Sequence, residues 1–419
     1  MKRQKMLLVT HEFPYGNSEY SFLSTEISLL EKKYDLTVLA VLYSGCIDEL
    51  LYPVSGNYDY SYCKITTYKH ELHFLMRDRE AWRELLTALS KGSLSQRLKG
   101  VKFTIGWLCK SYAVEHEIEK LITQKGCDIL YTYWCTEEAA AAVRLKTRFP
   151  QMRVMSRLHG YDLFKERNLY GLQPMHRQIA DSADLLVFVS RNGMEYFQKQ
   201  FPGKTPTILS YLGAKGFGKL PQRDKPSYVV VSCSYVIPVK RVKRLVDALA
   251  LVEISLQWIH IGGGYELGET KVYAKQVLDS SKCKVNFIGD IPNYEVAEIY
   301  RRYQPDLFLT ASESEGGAPI SIVEACSCGI PVIATAVGGI PEIVLDGVSG
   351  WLVSADANAQ EIADAINRFY ALTFSEQLNM REKAFQIFES TFYADTNSRC
   401  FVEKLNQYFI GLGQEDILK

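Results

Sequence analysis

Net charge is the first thing this chain lacks: its 419 residues carry 48 Lys/Arg and 48 Asp/Glu. Nucleic-acid binding usually requires a strong basic stripe and a recognisable module, and neither is readable here. No apolar run approaches the ~20 residues that a membrane-spanning helix requires. The start, MKRQKMLLVTHEF, is charged like a signal peptide but offers only MLLV as an apolar stretch, so it reads as a buried first strand. The ten cysteines contain no C-x-x-C pair, and Cys326 with Cys328, the one close pairing, lacks partner ligands for a metal. Such scattered thiols read as small buried hydrophobes in a reducing compartment. The absences leave a cytoplasmic protein with no metal and no nucleic-acid partner.

What is present is the composition of a soluble globular protein, 47% hydrophobic and 23% charged. The length exceeds one ordinary core, so two domains are expected. Residues 1–211 carry 28 Lys/Arg against 23 Asp/Glu and residues 212–419 carry 20 against 25, a modest difference in field. MLLVT, then a loop, then the amphipathic FLSTEISLLEKKY, then DLTVLAVLY follow the order strand, helix, strand of a parallel sheet covered by helices. Strands recur at DILYTYW (128–134), RVMSRLH (153–159) and LLVFVS (185–190). The Gly-, Lys- and Pro-rich LGAKGFGKLPQRDKPS (212–227) reads as an interdomain linker. Alternation then restarts with YVVVSCS, LQWIHIGGG, KVNFIGD, LFLTAS and PVIAT. The fold class is thus α/β, with two doubly wound halves whose ligands belong at the carboxyl ends of the strands. The cleft between two such halves is the first place to expect a substrate.

Four of those strand-end loops carry chemistry. HEFPYGNSE (11–19) offers Gly16 and Asn17, where backbone can approach a ligand closely. SRLHGYDLF (156–164) puts the titratable His159 at a strand end, although a lone histidine is more often an ordinary core or surface residue. SCSYVIPVKRVKRL (232–245) places Lys240 and Arg241 at a strand-to-helix turn, where a lysine can neutralise a diphosphate as a point charge. SESEGGAPISIVEA (312–325) combines Glu315, the glycines Gly316 and Gly317, Pro319 at a helix start, and Glu324 about one turn inside that helix. A carboxylate such as Glu324 can accept two hydroxyl hydrogen bonds, as from a ribose; by itself it would read as an exposed helix residue. GGGYELG (262–268) lacks the G-x-G-x-x-G spacing and does not follow the first strand of a half, which excludes a dinucleotide fingerprint.

One segment stands apart. Residues 91–110, KGSLSQRLKGVKFTIGWLCK, hold five basic residues and no acidic one, interleaved with Leu94, Leu98, Phe103, Ile105, Trp107 and Leu108. Two readings stay open: a helix with a solvated basic face, or contact with an anionic membrane surface, peripheral at its inner face.

The run S-E-G-G-A-P-I-S-I-V-E-A-C-S-C-G-I-P-V-I-A-T-A-V-G-G-I-P-E-I-V resembles the donor-site signature of glycosyltransferase family 4, which has the GT-B fold. VTHEFPYGNSEYSFLSTEI, SRLHGYDLF, VSCSYVIPVKRVKRLVDAL and NFIGDIPNYEVAEIYR resemble its glycine loop, histidine motif, phosphate-binding segment and base-binding loop, in the family's order. The resemblance implies two Rossmann-like domains facing each other across a cleft. An acceptor-side domain would span 1–212, with a terminal helix at 396–419 packing back on it, and a donor domain 213–395. It implies transfer of a sugar, with retention, from a nucleotide diphosphate sugar, UDP being the commonest, to a glycan or lipid-linked acceptor. No cofactor or obligatory metal is implied.

By position, Glu324 would hold the ribose hydroxyls and Glu315 the donor sugar. Gly316, Gly317, Ala318, Pro319 and Ile320 would cradle sugar and phosphate, and Gly289 with Ile291 would line the base. Lys240 and Arg241 would offset the diphosphate charge, His159 would stabilise the oxocarbenium-like state, and Gly16 with Asn17 would close the phosphate side. The chain departs from the family twice: one extra residue separates Glu315 from Glu324, which a bulge at Gly316-Gly317 would absorb, and Tyr235 stands where an arginine often partners the lysine. A non-catalytic sugar-nucleotide-binding protein and a nucleotide-sugar epimerase are the alternatives on the same fold.

Overall fold

The computed structural model describes residues 3–16, 19–43, 49–50, 54, 56–66, 68–168 and 170–410. They form two compact units, Met1–Tyr211 with Asp395–Lys419, and Leu212–Ala394. Each is built on one parallel sheet.

In the first unit, β1 (Lys5–Thr10), β2 (Asp35–Tyr43), β3 (Asp59–Ile65), β4 (Ile129–Thr132), β5 (Arg153–Leu158), β6 (Leu185–Phe188) and β7 (Thr207–Leu209) lie in the order β3-β2-β1-β4-β5-β6-β7. Residues such as Leu7, Leu130 and Val154 are fully buried because helices cover both faces of a parallel sheet. The order reverses direction between β1 and β4, so their carboxyl ends flank the natural ligand crevice. β4 stops at Thr132, two residues short of the DILYTYW reading; Tyr133 and Trp134 leave the ladder and belong to the loop chemistry. The edge strands β3 and β7 escape sequence reading: β3 alternates weakly and is half exposed, and β7 has three residues.

The second unit contains β8 (Val229–Cys233), β9 (Leu256–Ile261), β10 (Cys283–Gly289), β11 (Leu307–Thr310), β12 (Val332–Thr335) and β13 (Gly350–Val353), in the order β10-β9-β8-β11-β12-β13. Its switch point lies between β8 and β11, which pair directly.

One sequence expectation needs correction. Residues 212–227 are not a free linker but a pinned edge of the second unit. Ala214 bridges Tyr393, Phe217 N–H donates to Ser327 Oγ, Leu220 N–H donates to the Cys328 carbonyl, and Arg223 pairs with Asp306. Pro and Gly keep this stretch out of helix and sheet, while its backbone donors find partners on packed elements. Residues 91–110 open a long helix, and their basic residues Lys91, Arg97, Lys99 and Lys102 are exposed. Within the helix Leu94–Lys125, Trp107 and Leu108 are buried, Phe103 and Ile105 pack on the core, and only the first turns expose Leu94 and Leu98. Among the described residues no helix is long and apolar enough to cross a membrane.

The helix Ala394–Ile410 contributes Phe401, Val402 and Leu405 to the first unit's core. Beneath it lies a fully buried ion pair: Arg157 donates to Glu26 at 2.7 Å and its guanidinium sits 4.3 Å from the Phe401 ring centroid. Glu26 also accepts from the Tyr131 hydroxyl at 3.1 Å. Removing one partner strands a buried charge. Arg157→Ala is therefore expected to cost about 3–5 kcal/mol, read as a lowered denaturant midpoint, while Arg157→Met with Glu26→Leu recovers most of it. Equal stabilities of Arg157→Ala and the double variant would contradict this account.

Candidate functional site

Because β8 and β11 are neighbours, the loops that leave their carboxyl ends are forced together. Lys240 follows β8 on a single helical turn, Pro238–Lys240, and Glu315 follows β11. The structure joins them: Lys240 Nζ donates to Glu315 Oε1 in a mostly buried pair. A backbone bond from Glu313 N–H to the Val239 carbonyl, 2.8 Å, ties the same two loops. Arg241 is not brought into this pair. In the left-handed conformation (φ 48°), its side chain donates to the Ala355 carbonyl at 2.8 Å and reaches Glu313 at 3.2 Å.

From below, the loop of Glu315 is supported by Gly338 and Gly339. A Cβ on Gly338, whose φ is 55°, would lie 1.9 Å from the Glu315 carbonyl oxygen, and one on Gly339 would lie 2.5 Å from the Gly317 carbonyl carbon. Only glycines permit so close an approach. Gly316, Gly317 and Ala318 bend over this support into Pro319, which precedes the helix Ile320–Ser327. No side chain caps that helix start, so its positive end faces the loop.

Glu324 is not an exposed helix residue: it is 5% exposed. Burial drives its pKa up to about 7, against the opposing effect of a 2.7 Å hydrogen bond donated by Asn293 Nδ2. Asn293 begins the helix Asn293–Tyr303. It was missed in the sequence, although it lies in the NFIGDIPNYEVAEIYR segment. The same segment supplies Gly289, left-handed at φ 87°, and the half-buried Ile291.

His159 and Gly16 belong to the first unit, at the ends of β5 and β1. Asn17 lies outside the described residues. Gly16 N–H closes a turn on the Glu12 carbonyl at 3.0 Å. His159 is buried against Tyr133 and Trp134, with ring centroids 5.0 and 4.2 Å away. Its backbone N–H donates to Asp162 Oδ1 at 2.6 Å, and Asp162 Oδ2 accepts from Cys135 N–H at 2.8 Å. Neither ring nitrogen of His159 makes a hydrogen bond among the described residues.

Three further residues of this unit escaped the sequence reading. His11 stacks on Trp134 and bonds Thr136 at 3.0 Å and Glu138 at 3.3 Å. Burial opposes its charge, but Glu138 first, then Glu19 and Glu137, outweigh it and raise the pKa to about 9. Glu138 also accepts from the Tyr43 hydroxyl at 3.0 Å. Glu19 folds the loop after β1 by accepting the N–H groups of His11, Glu12 and Phe13 at 3.0, 2.8 and 2.8 Å. A readable signal existed: a histidine directly after a first strand, and the acidic pair Glu137-Glu138 opening a helix after the fourth.

The raised pKa of Glu324 has a consequence for stability. The folded protein holds a proton that the unfolded chain releases near pH 4.5, so stability falls as pH rises from there through about 7. Glu324→Gln keeps an acceptor for Asn293 without the charge. Its stability relative to the parent is expected to improve by up to about 3 kcal/mol between pH 5 and 8, measured by urea unfolding. A difference that stays constant with pH would contradict the assignment.

Residues 219–387 match the family model for glycosyl transferases group 1. The N-acetyl-alpha-D-glucosaminyl L-malate synthase of Bacillus anthracis is 26% identical over 253 residues, 57% of this chain and 65% of that protein. The lipopolysaccharide 1,2-N-acetylglucosaminetransferase of Salmonella typhimurium is 24% identical over 275 residues, 59% of this chain and 70% of that one. The crystal structure of Anabaena HepE in complex with UDP and glucose superposes with a TM-score of 0.64 at 17% identity, over 96% of this chain and 100% of that one. With two parallel sheets in two Rossmann-like units, this chain has the GT-B fold, and its second unit is similar to the group 1 glycosyl transferases over residues 219–387.

Proposed function

We propose that the chain is a retaining glycosyltransferase of family 4. It moves a sugar from a nucleotide diphosphate sugar, a UDP-sugar by preference, to a glycan or lipid-linked acceptor in cell-surface polysaccharide or glycoconjugate biosynthesis. The observation that carries this reading is the Lys240–Glu315 pair at the β8/β11 switch point. A cation and a carboxylate held together there suit a ligand that presents a diphosphate next to a sugar.

Glu324 takes the ribose. Two hydroxyl donors would offset the desolvation that now keeps its carboxyl partly protonated, and so favour the carboxylate. Lys240 turns toward the arriving diphosphate, and Glu315 exchanges one partner for the sugar hydroxyls. As the bond from the anomeric carbon to phosphate oxygen breaks, negative charge grows on the leaving diphosphate, and Lys240 stabilises it electrostatically. The uncapped helix start at Ile320 adds its dipole. His159, whose Nδ1 lies 3.6 Å from Asp162 Oδ2, would stabilise the positive sugar, as the family resemblance implies. The acceptor hydroxyl attacks the same face, giving its proton to the departing phosphate, so configuration is retained. Gly289 and Ile291 line the base and Arg241 acts at the rim. Tyr235 is largely exposed and brings no fixed charge, which leaves the diphosphate to Lys240. The named relatives differ in acceptor, malate in one and lipopolysaccharide in the other, so the acceptor is the part of the proposal carried least by kinship.

Incubation with a panel of nucleotide sugars is expected to raise the melting temperature for one donor, and release of nucleoside diphosphate should follow when an acceptor is added. Lys240→Ala should lower kcat roughly 10²–10³-fold, and Glu324→Ala should mainly raise the donor KM. Unchanged turnover in both variants would refute the site. Binding without turnover would favour the non-catalytic alternative, and a changed donor sugar without acceptor the epimerase.

A further inference from the structure

Large apolar side chains are exposed here and there over the molecule, but one stretch concentrates them. Met76, Trp82, Leu86, Leu89, Leu94 and Leu98 are between 46% and 77% exposed. Trp82, Leu86 and Leu89 fall at i, i+4 and i+7 of the helix Arg79–Leu89, hence on one face; Leu94 and Leu98 share a face of the first turns of Leu94–Lys125. The two helices form a hairpin whose turn is Ser90–Ser93. They close together where Gly100 meets Ala88, a Cβ on Gly100 falling 3.9 Å from that of Ala88. The hairpin therefore carries Leu89, Leu94 and Leu98 at its tip, with Trp82 and Leu86 along its side. Monomeric soluble proteins seldom leave so dense an apolar patch in water.

The unpaired charge around the patch is mainly basic. Arg79, Arg97, Lys99 and Lys102 are all exposed, and none is within ion-pair distance of a carboxylate among the described residues, whereas Lys91 turns its ammonium onto the Gly171 carbonyl at 2.9 Å, near Glu84. The nearby acids are engaged: Asp78 caps its helix and accepts from the Tyr112 hydroxyl, Glu80 pairs with Arg83, and Glu84 is half buried. No acid occurs from residue 91 to 110.

We infer that this hairpin tip is a docking surface for an anionic lipid bilayer. Trp82 and the leucines enter the headgroup–acyl boundary, where tryptophan is favoured, and the basic ring lies against anionic headgroups. The long stems of Lys and Arg cover the rim of the patch while their charges stay in the headgroup layer. A second copy of the chain fits poorly, because a two-fold contact would bring the same uncompensated basic ring onto itself. The inference is independent of the proposed transfer reaction, so an inactive chain docks equally.

The test is flotation of the full chain with vesicles of phosphatidylcholine, alone or mixed with phosphatidylglycerol. Co-flotation is expected with the mixed vesicles only, and is expected to weaken with salt. The triple variant Trp82→Ser, Leu86→Ser, Leu94→Ser, and separately the pair Arg97→Glu, Lys99→Glu, should each lower the bound fraction tenfold or more with unchanged melting temperature. Lys240→Ala should float like the parent, which separates this inference from the catalytic one. Absence of flotation of the parent, or flotation unaffected by both variants, overturns it. A dimer in solution that the triple variant abolishes does the same, and assigns the patch to a second copy.

Discussion

The contact between Lys240 and Glu315 governs the second unit's site, because it sets where two loops from adjacent strands may lie. Parallel pairing of β8 with β11 brings the loops to one edge, but pairing alone would leave the side chains to choose among many rotamers. The ion pair and the Glu313-to-Val239 backbone bond fix the loops sideways. Gly338 and Gly339 fix them from beneath, since no other residue fits against the Glu315 carbonyl. Held on two sides, residues 316–318 bend in one direction only, toward the start of the helix Ile320–Ser327.

The first unit uses acids in another way. Glu19 and Asp162 are fully buried and spend their oxygens largely on backbone N–H groups, so each shapes a loop from within. The result is a layered set of rings, with Trp134 contacting His11 and His159. His11 is held near Glu138, which favours its charged form, while His159 sits among aromatic rings with its Nδ1 3.6 Å from Asp162 Oδ2.

Much of this was legible in the sequence, and the reasons are physical. Central strands such as LLVF at β6 are apolar throughout because both faces are covered, and the periodicity of their helices follows from the same layering. The strand-end glycines, Lys240, Glu315 and Glu324 could be found because backbone freedom and fixed charge are properties of residue types. What could not be read depends on distant parts of the chain. Glu324 alone looked exposed, since its burial arises from packing and its bond to Asn293 spans 31 positions. Gly338 and Gly339 drew no reading of their own, since the need for them lies in a loop more than twenty residues earlier. The polar stretch 212–227 looked free because its partners, Ser327, Cys328 and Asp306, are about a hundred positions away.

Glu324 also bears on how the empty protein waits for its ligand. A carboxyl that titrates near neutrality does not have a single charge state under ordinary conditions, so the unliganded population is a mixture of protonated and ionised molecules. Any ligand that bonds the ionised form draws from that mixture and sets a proton free in solution. Under the donor reading, ribose recognition would be a proton-releasing event. The apparent affinity would then depend on the acidity of the medium even though the nucleotide's own ribose never ionises.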